Sequence, residues 1–72
     1  MSMTETKRLW FERPAGKVSA GDFVIMNDSS GSHTRIVRRV VPDGNGQVVI
    51  HCWNGSGTVG HVFAPDQLIE LV

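Results

Sequence analysis

From residue 21 onward the chain runs in short apolar stretches separated by turn-forming residues. The stretches are GDFVIM (21–26), HTRIVRRVV (33–41), QVVIHCW (47–53), TVGHVFA (58–64) and LIELV (68–72). Each is rich in β-branched and aromatic residues, which suit a pleated, half-buried surface. Between them lie NDSSGS (27–32), PDGNG (42–46), NGSG (54–57) and the turn PDQ (65–67). The pattern predicts five antiparallel strands, a loop over 27–32, a hairpin at 42–46 and one turn of 3₁₀ helix at 65–67. Strands this short and this closely spaced, with no segment of helical period, predict a small five-stranded antiparallel barrel.

Alternation assigns the faces. In 47–53, Val48, Ile50 and Cys52 share one side, and Gln47, Val49, His51 and Trp53 share the other. The first set is small and apolar and predicts the core face; Trp53 then lies outside. The expected core is Val24, Met26, Ile36, Val48, Ile50, Cys52, Val62 and Leu68. Strand 34–41 breaks the alternation, since neither parity is cleanly apolar. A β-bulge near Val37–Arg38 would turn Ile36 and Val40 or Val41 inward and leave both arginines in water. If the 42–46 turn centres on Gly44, residues i and 88−i are opposed, which sets Arg35 beside Trp53 on the outer face.

Residues 1–17 differ from the rest. Small polar and charged residues precede Leu9, Trp10 and Phe11, followed by ERPAGK. This predicts a flexible N-terminal tail over 1–17, disordered over 1–7, with a short apolar docking segment over 8–13. The barrel is expected over 18–72.

Seventy-two residues allow one small domain, of the kind that buries only about 60% of its unfolded surface. One cysteine cannot form an internal disulfide, and no stretch reaches the ~20 apolar residues of a membrane span. The N-terminus lacks the apolar core of a signal peptide. A cytoplasmic location follows as the expectation. Formal net charge is zero, yet all seven basic residues lie at or before Arg39.

The order of GDFVIM, a Gly-rich loop, TRIVRRV, VIHCWN and HVFAPDQLIEL resembles bacterial SH3-like small barrels, and most of all the YodC-like family of uncharacterised small proteins. The elements that carry the likeness are Gly21–Asp22, Cys52–Trp53, Phe63–Pro65 and Leu68, within residues 20–71. Ala64 before the proline and the order His51–Cys52–Trp53 depart from that pattern. The resemblance implies the fold and no chemistry. A weaker likeness is to type II plasmid dihydrofolate reductase, whose pore run corresponds to Gly60–His61–Val62–Phe63 here, in a chain without tyrosine. SGSHTRIVRR is also similar to a loop of the nitrile hydratase β subunit, as scaffold only.

Catalytic constellations are not evident. His51 and Cys52 are adjacent on a strand and point to opposite faces, so they do not share a metal. The serines lie in loops, and Asp43, Asp66 and Glu70 are isolated acids. No catalytic residue, metal or cofactor is expected. What stands out is basic and aromatic: Trp10, His33, Arg35, Arg38, Arg39, His51 and Trp53 form the candidate binding set. Arg and Trp are typical of binding hot spots. The expectation is a non-enzymatic protein-binding module, a small phage- or mobile-element-type regulator acting on host transcription or nucleic-acid machinery. A host protein is the expected partner, and no membrane. The competing readings are a weak nucleic-acid-binding barrel and a homo-oligomeric enzyme of the type II dihydrofolate reductase kind.

Overall fold

The structure, a computed structural model, describes residues 11–72. The expected disorder of 1–7 and the docking of Trp10 fall outside the described residues. The protein is all-β and antiparallel. Strand β1 (Glu12–Pro14) leads through a 3₁₀ turn (Ala15–Lys17) to β2 (Phe23–Asp28), β3 (Gly31–Pro42), β4 (Val48–Trp53), β5 (Thr58–Phe63) and β6 (Leu68–Glu70). Strands β2-β3-β4-β5 form a four-stranded meander, and β1 pairs with β6 in a separate two-stranded sheet. An isolated bridge between Val24 and Leu71 links the two sheets, with the Val72 amide donating to the Phe23 carbonyl at 3.0 Å. The five expected strands are present within one or two residues of their predicted ends, and β1 is a sixth.

The part of the predicted tail that the structure describes is packed. Ala15 is fully buried, and its amide donates to the Gln67 carbonyl at 2.8 Å. Arg13 reaches Asp22 at 3.0 Å, and Asp22 also accepts the Ser19 amide at 2.9 Å. The expected 3₁₀ turn at 65–67 is instead a β-turn closed by the Gln67 amide on the Ala64 carbonyl. Nor is 27–32 a loop: β2 and β3 run on until Asp28 opposes Gly31, leaving Ser29 and Ser30 as a two-residue turn. Gly31 takes the positive φ of 120° that this reversal needs.

The bulge falls where the broken alternation placed it. Val37 opposes Cys52 and Arg39 opposes His51, so Arg38 is the extra residue. The backbone of Val37 is held on its other side, donating to the Asp22 carbonyl and accepting from the Gly21 amide, both at 2.8 Å. The faces on the N-terminal side of the bulge are the reverse of the expectation, with Val37 buried and Ile36 only half-buried.

The core is Ala15, Val18, Val24, Met26, Val37, Ile50, Cys52 and Ile69, with Val40, Val48, Phe63 and Leu71 packed against it. Val24, Met26, Ile50 and Cys52 were expected there, and Val48 lies at its margin. Val62 and Leu68 are 55% and 50% exposed, so they are not core. Leu68 shares a side with Glu70, whereas Ile69 and Leu71 share the other, which is the side that β6 buries.

Candidate binding face

The hairpin between β3 and β4 sets the site. Its loop is Gly44–Asn45–Gly46, closed by the Asp43 amide on the Gln47 carbonyl at 3.0 Å. Asp43 Oδ1 accepts the amides of Asn45 and Gln47, and Gly44 and Gly46 hold φ of 88° and 80°. The turn therefore centres on Asn45 rather than Gly44. Arg39 faces His51 instead of Val49, and beyond the bulge Ile36 faces Trp53.

These two shifts separate the candidate residues. Arg35 stands opposite buried Val24, and His33 opposite buried Met26, so both belong to the inner side of the sheet. The expected Arg35–Trp53 pair does not form. Arg38 takes that place, its guanidinium carbon 5.9 Å from the Trp53 ring centroid. A bulge opposes two residues to one, so Arg38 and Arg39 both accompany His51 on the outer face. Trp53 is 41% exposed there, as its parity required. Phe23, opposite Ile36 and 52% exposed, extends the row to Phe23–Ile36–Trp53. Phe23 was missed, although its alternation with buried Val24 was available to find it.

The outer face of the meander thus carries an exposed aromatic row, two arginines and a histidine. None of the residues that alternate onto that face from Phe23 to Val62 is acidic. Gly60 sits beneath His51: a Cβ there would lie 3.0 Å from Val49 Cγ1 and 3.2 Å from His51 Cε1. The missing side chain lets the imidazole lie across β5.

On the inner side, Arg35, His33, His61 and Cys52 line a cavity of about 80 Å³ with Asn54 and Val59. Burial pushes the Cys52 thiol up, with Arg35 pulling weakly the other way. At its rim Ser30, His33 and Asp28 come together, which suggests a hydrolytic triad. Ser30 Oγ donates to Asp28 Oδ1 at 2.7 Å and lies 2.9 Å from His33 Nε2, and Asp28 Oδ1 lies 3.4 Å from that same nitrogen. A triad needs the carboxylate on the ring nitrogen remote from the serine. With both groups on Nε2, the cluster is a lock on the β2–β3 turn. Among the described residues no three His, Cys, Asp or Glu side chains converge on a metal-sized point. No described helix is long and apolar enough to cross a membrane.

No family model, curated protein or solved structure matches the chain.

Proposed function

We propose that this protein is a non-enzymatic binding module on an SH3-like barrel scaffold, and that its outer sheet face engages a protein partner with an acidic surface. The observation that supports this is the Arg38–Trp53 cation–π pair, on a face that also holds Arg39, His51 and Phe23 and, among the described residues of the meander, carries no carboxylate. Arginine held over an indole is already ordered, so less side-chain freedom is lost on docking. Partly exposed aromatics beside arginine have the composition of interface hot spots. A small regulator from a phage or mobile element, acting on host transcription machinery in the cytoplasm, fits such a surface.

Single-stranded nucleic acid competes for the same face, because exposed aromatics with arginines can stack and neutralise a strand. A formal net charge of zero counts against it, since non-specific affinity rests on releasing counterions. Affinity capture from lysate, with and without nuclease, separates the two. Capture of a defined protein should survive nuclease and be lost with Arg38→Glu and with Trp53→Ala. Capture that nuclease abolishes, with salt-sensitive binding to oligonucleotides, would establish the competing reading. Capture unaffected by either substitution would overturn both.

A further inference from the structure

Two of the three asparagines in the chain precede a glycine, as Asn45–Gly46 and Asn54–Gly55. An asparagine side chain is most open to attack by the next backbone nitrogen when the next residue is glycine, which has no Cβ to obstruct the approach. Both pairs sit in hairpin turns, Asn45 between β3 and β4 and Asn54 between β4 and β5. Their surroundings differ.

Asn54 closes its own turn. Its Oδ1 accepts the Ser56 amide at 3.0 Å, the Ser56 hydroxyl at 3.2 Å and the Gly57 amide at 2.9 Å, and its own amide donates to the Gly57 carbonyl at 2.9 Å. The carboxamide is turned into the loop and fixed there. In the β3–β4 turn that role belongs to Asp43, whose Oδ1 accepts the amides of Asn45 and Gln47. The Asn45 side chain takes no part in closing the loop. Among the described residues its carboxamide and the Gly46 amide have no hydrogen-bond partner. Residues 44–47 are exposed, and nothing lies within 4 Å of where a Cβ would stand on Gly44 or Gly46. The Asn45 carboxamide has room to swing over the Gly46 nitrogen.

We propose that Asn45 is a site of spontaneous modification, converting with time to aspartate and isoaspartate, and that the fold spares Asn54. The Gly46 nitrogen, its proton taken by hydroxide, attacks Asn45 Cγ. A new N–Cγ bond closes a succinimide ring, and the side-chain nitrogen leaves as ammonia. Water then opens the ring. Breaking the N–Cγ bond yields aspartate, and breaking the original peptide bond yields isoaspartate, with the chain rerouted through Cβ and Cγ. No oxidant or reductant takes part. Either product places a second carboxylate two residues from Asp43, on a chain whose formal net charge is zero. The isoaspartyl form also lengthens the main chain between the two amides that share Asp43 Oδ1, and so loosens the turn.

The test incubates the full chain in mildly alkaline buffer, with and without urea. The tryptic peptide 40–72 holds both pairs, and its mass and fragmentation report each position. In the folded protein Asn45 should lose ammonia about tenfold faster than Asn54, the ratio expected where one or two net hydrogen bonds must open first. In urea the two rates should converge, because the pairs themselves are alike. Chromatography should resolve isoaspartate at position 45, and the Gln47 amide should exchange faster in the modified chain. Asn45→Gln should abolish the product at position 45 and leave the rate at Asn54 unchanged. Equal rates at the two pairs in the folded protein, or a faster Asn54, would overturn the proposal. So would a ratio that persists in urea, since the difference would then lie in the neighbouring sequence and not in the fold.

Discussion

Arg38 has no partner in the register between β3 and β4, yet its guanidinium lies over the ring of Trp53, 5.9 Å from the centroid. The residue that the ladder leaves out is the one that meets the most exposed aromatic of the strand opposite. The pairing follows from the bulge, which gives Arg38 the outer face without an opposing side chain of its own.

Arg38→Ala should therefore lower stability by about 0.5–1 kcal/mol, the range of an exposed cation–π contact. Trp53→Ala should cost about 1–2 kcal/mol, less than the 3–5 of a fully buried aromatic. Chemical denaturation of the two single variants and the double variant measures the coupling directly. A Trp53→Ala protein that does not fold would make the indole part of the core.

The inward and outward assignments along β4 and β5 are open to the same measurement. Ile50→Ala should destabilise by about 2–5 kcal/mol, because the isoleucine is fully buried between β3 and β5. Val62→Ala should stay within about 0.5 kcal/mol of the parent, as exposed substitutions do. Comparable losses at both positions would contradict the faces described.

Much of this was legible in the sequence and some of it was not, for identifiable reasons. Val48, Ile50 and Cys52 alternate without interruption, so β4 and the outward Trp53 followed from parity. The irregular valines and arginines of 36–41 revealed the bulge, but its effect on neighbouring residues was not carried through: a residue inserted at Arg38 reverses every side chain before it, which buries Val37 and takes Arg35 away from Trp53. The PDGNG turn was recognisable, whereas its centre depends on which glycines take positive φ, and Gly44 and Gly46 both do. Pairing of β1 with β6 joins opposite ends of the chain, and no local pattern in ERP announces it.

Cys52 should react slowly. It is 1% exposed and its thiol is pushed above its ordinary value of 9.0 by burial. Labelling of the native protein by a bulky maleimide near pH 8 should be limited by opening of the fold, and should accelerate sharply in denaturant. Cys52→Ser should cost about 1–3 kcal/mol, the penalty of a buried hydroxyl left without a partner. Rapid native labelling would contradict the burial.

The β2–β3 turn should loosen in acid. The hydroxyl of Ser30, and then its amide, hold the Asp28 carboxyl below its ordinary 3.8, with His33 adding to the effect. A carboxylate whose folded value is depressed stabilises the fold above its unfolded value, and that contribution fades as pH falls through the folded one. The midpoint of the Asp28 carboxyl titration by NMR should thus lie below 3.8. Ser30→Ala should raise it, since the hydroxyl is the largest contributor. A midpoint unmoved by Ser30→Ala would assign the depression elsewhere.

The bulge at Arg38 has a consequence for how this sequence can vary. Twelve residues of β3 are written in two reading frames, one before and one after a single inserted amino acid. Deleting Arg38 would bring Val37 and Arg39 together as neighbours, and their partners Cys52 and His51 are already consecutive on β4. The ladder would become regular, and every other side chain of β3 would keep its face. What the deletion removes is the cation beside the Trp53 ring. The inserted residue is therefore dispensable for the pairing of the sheet and specific to the surface that the sheet presents.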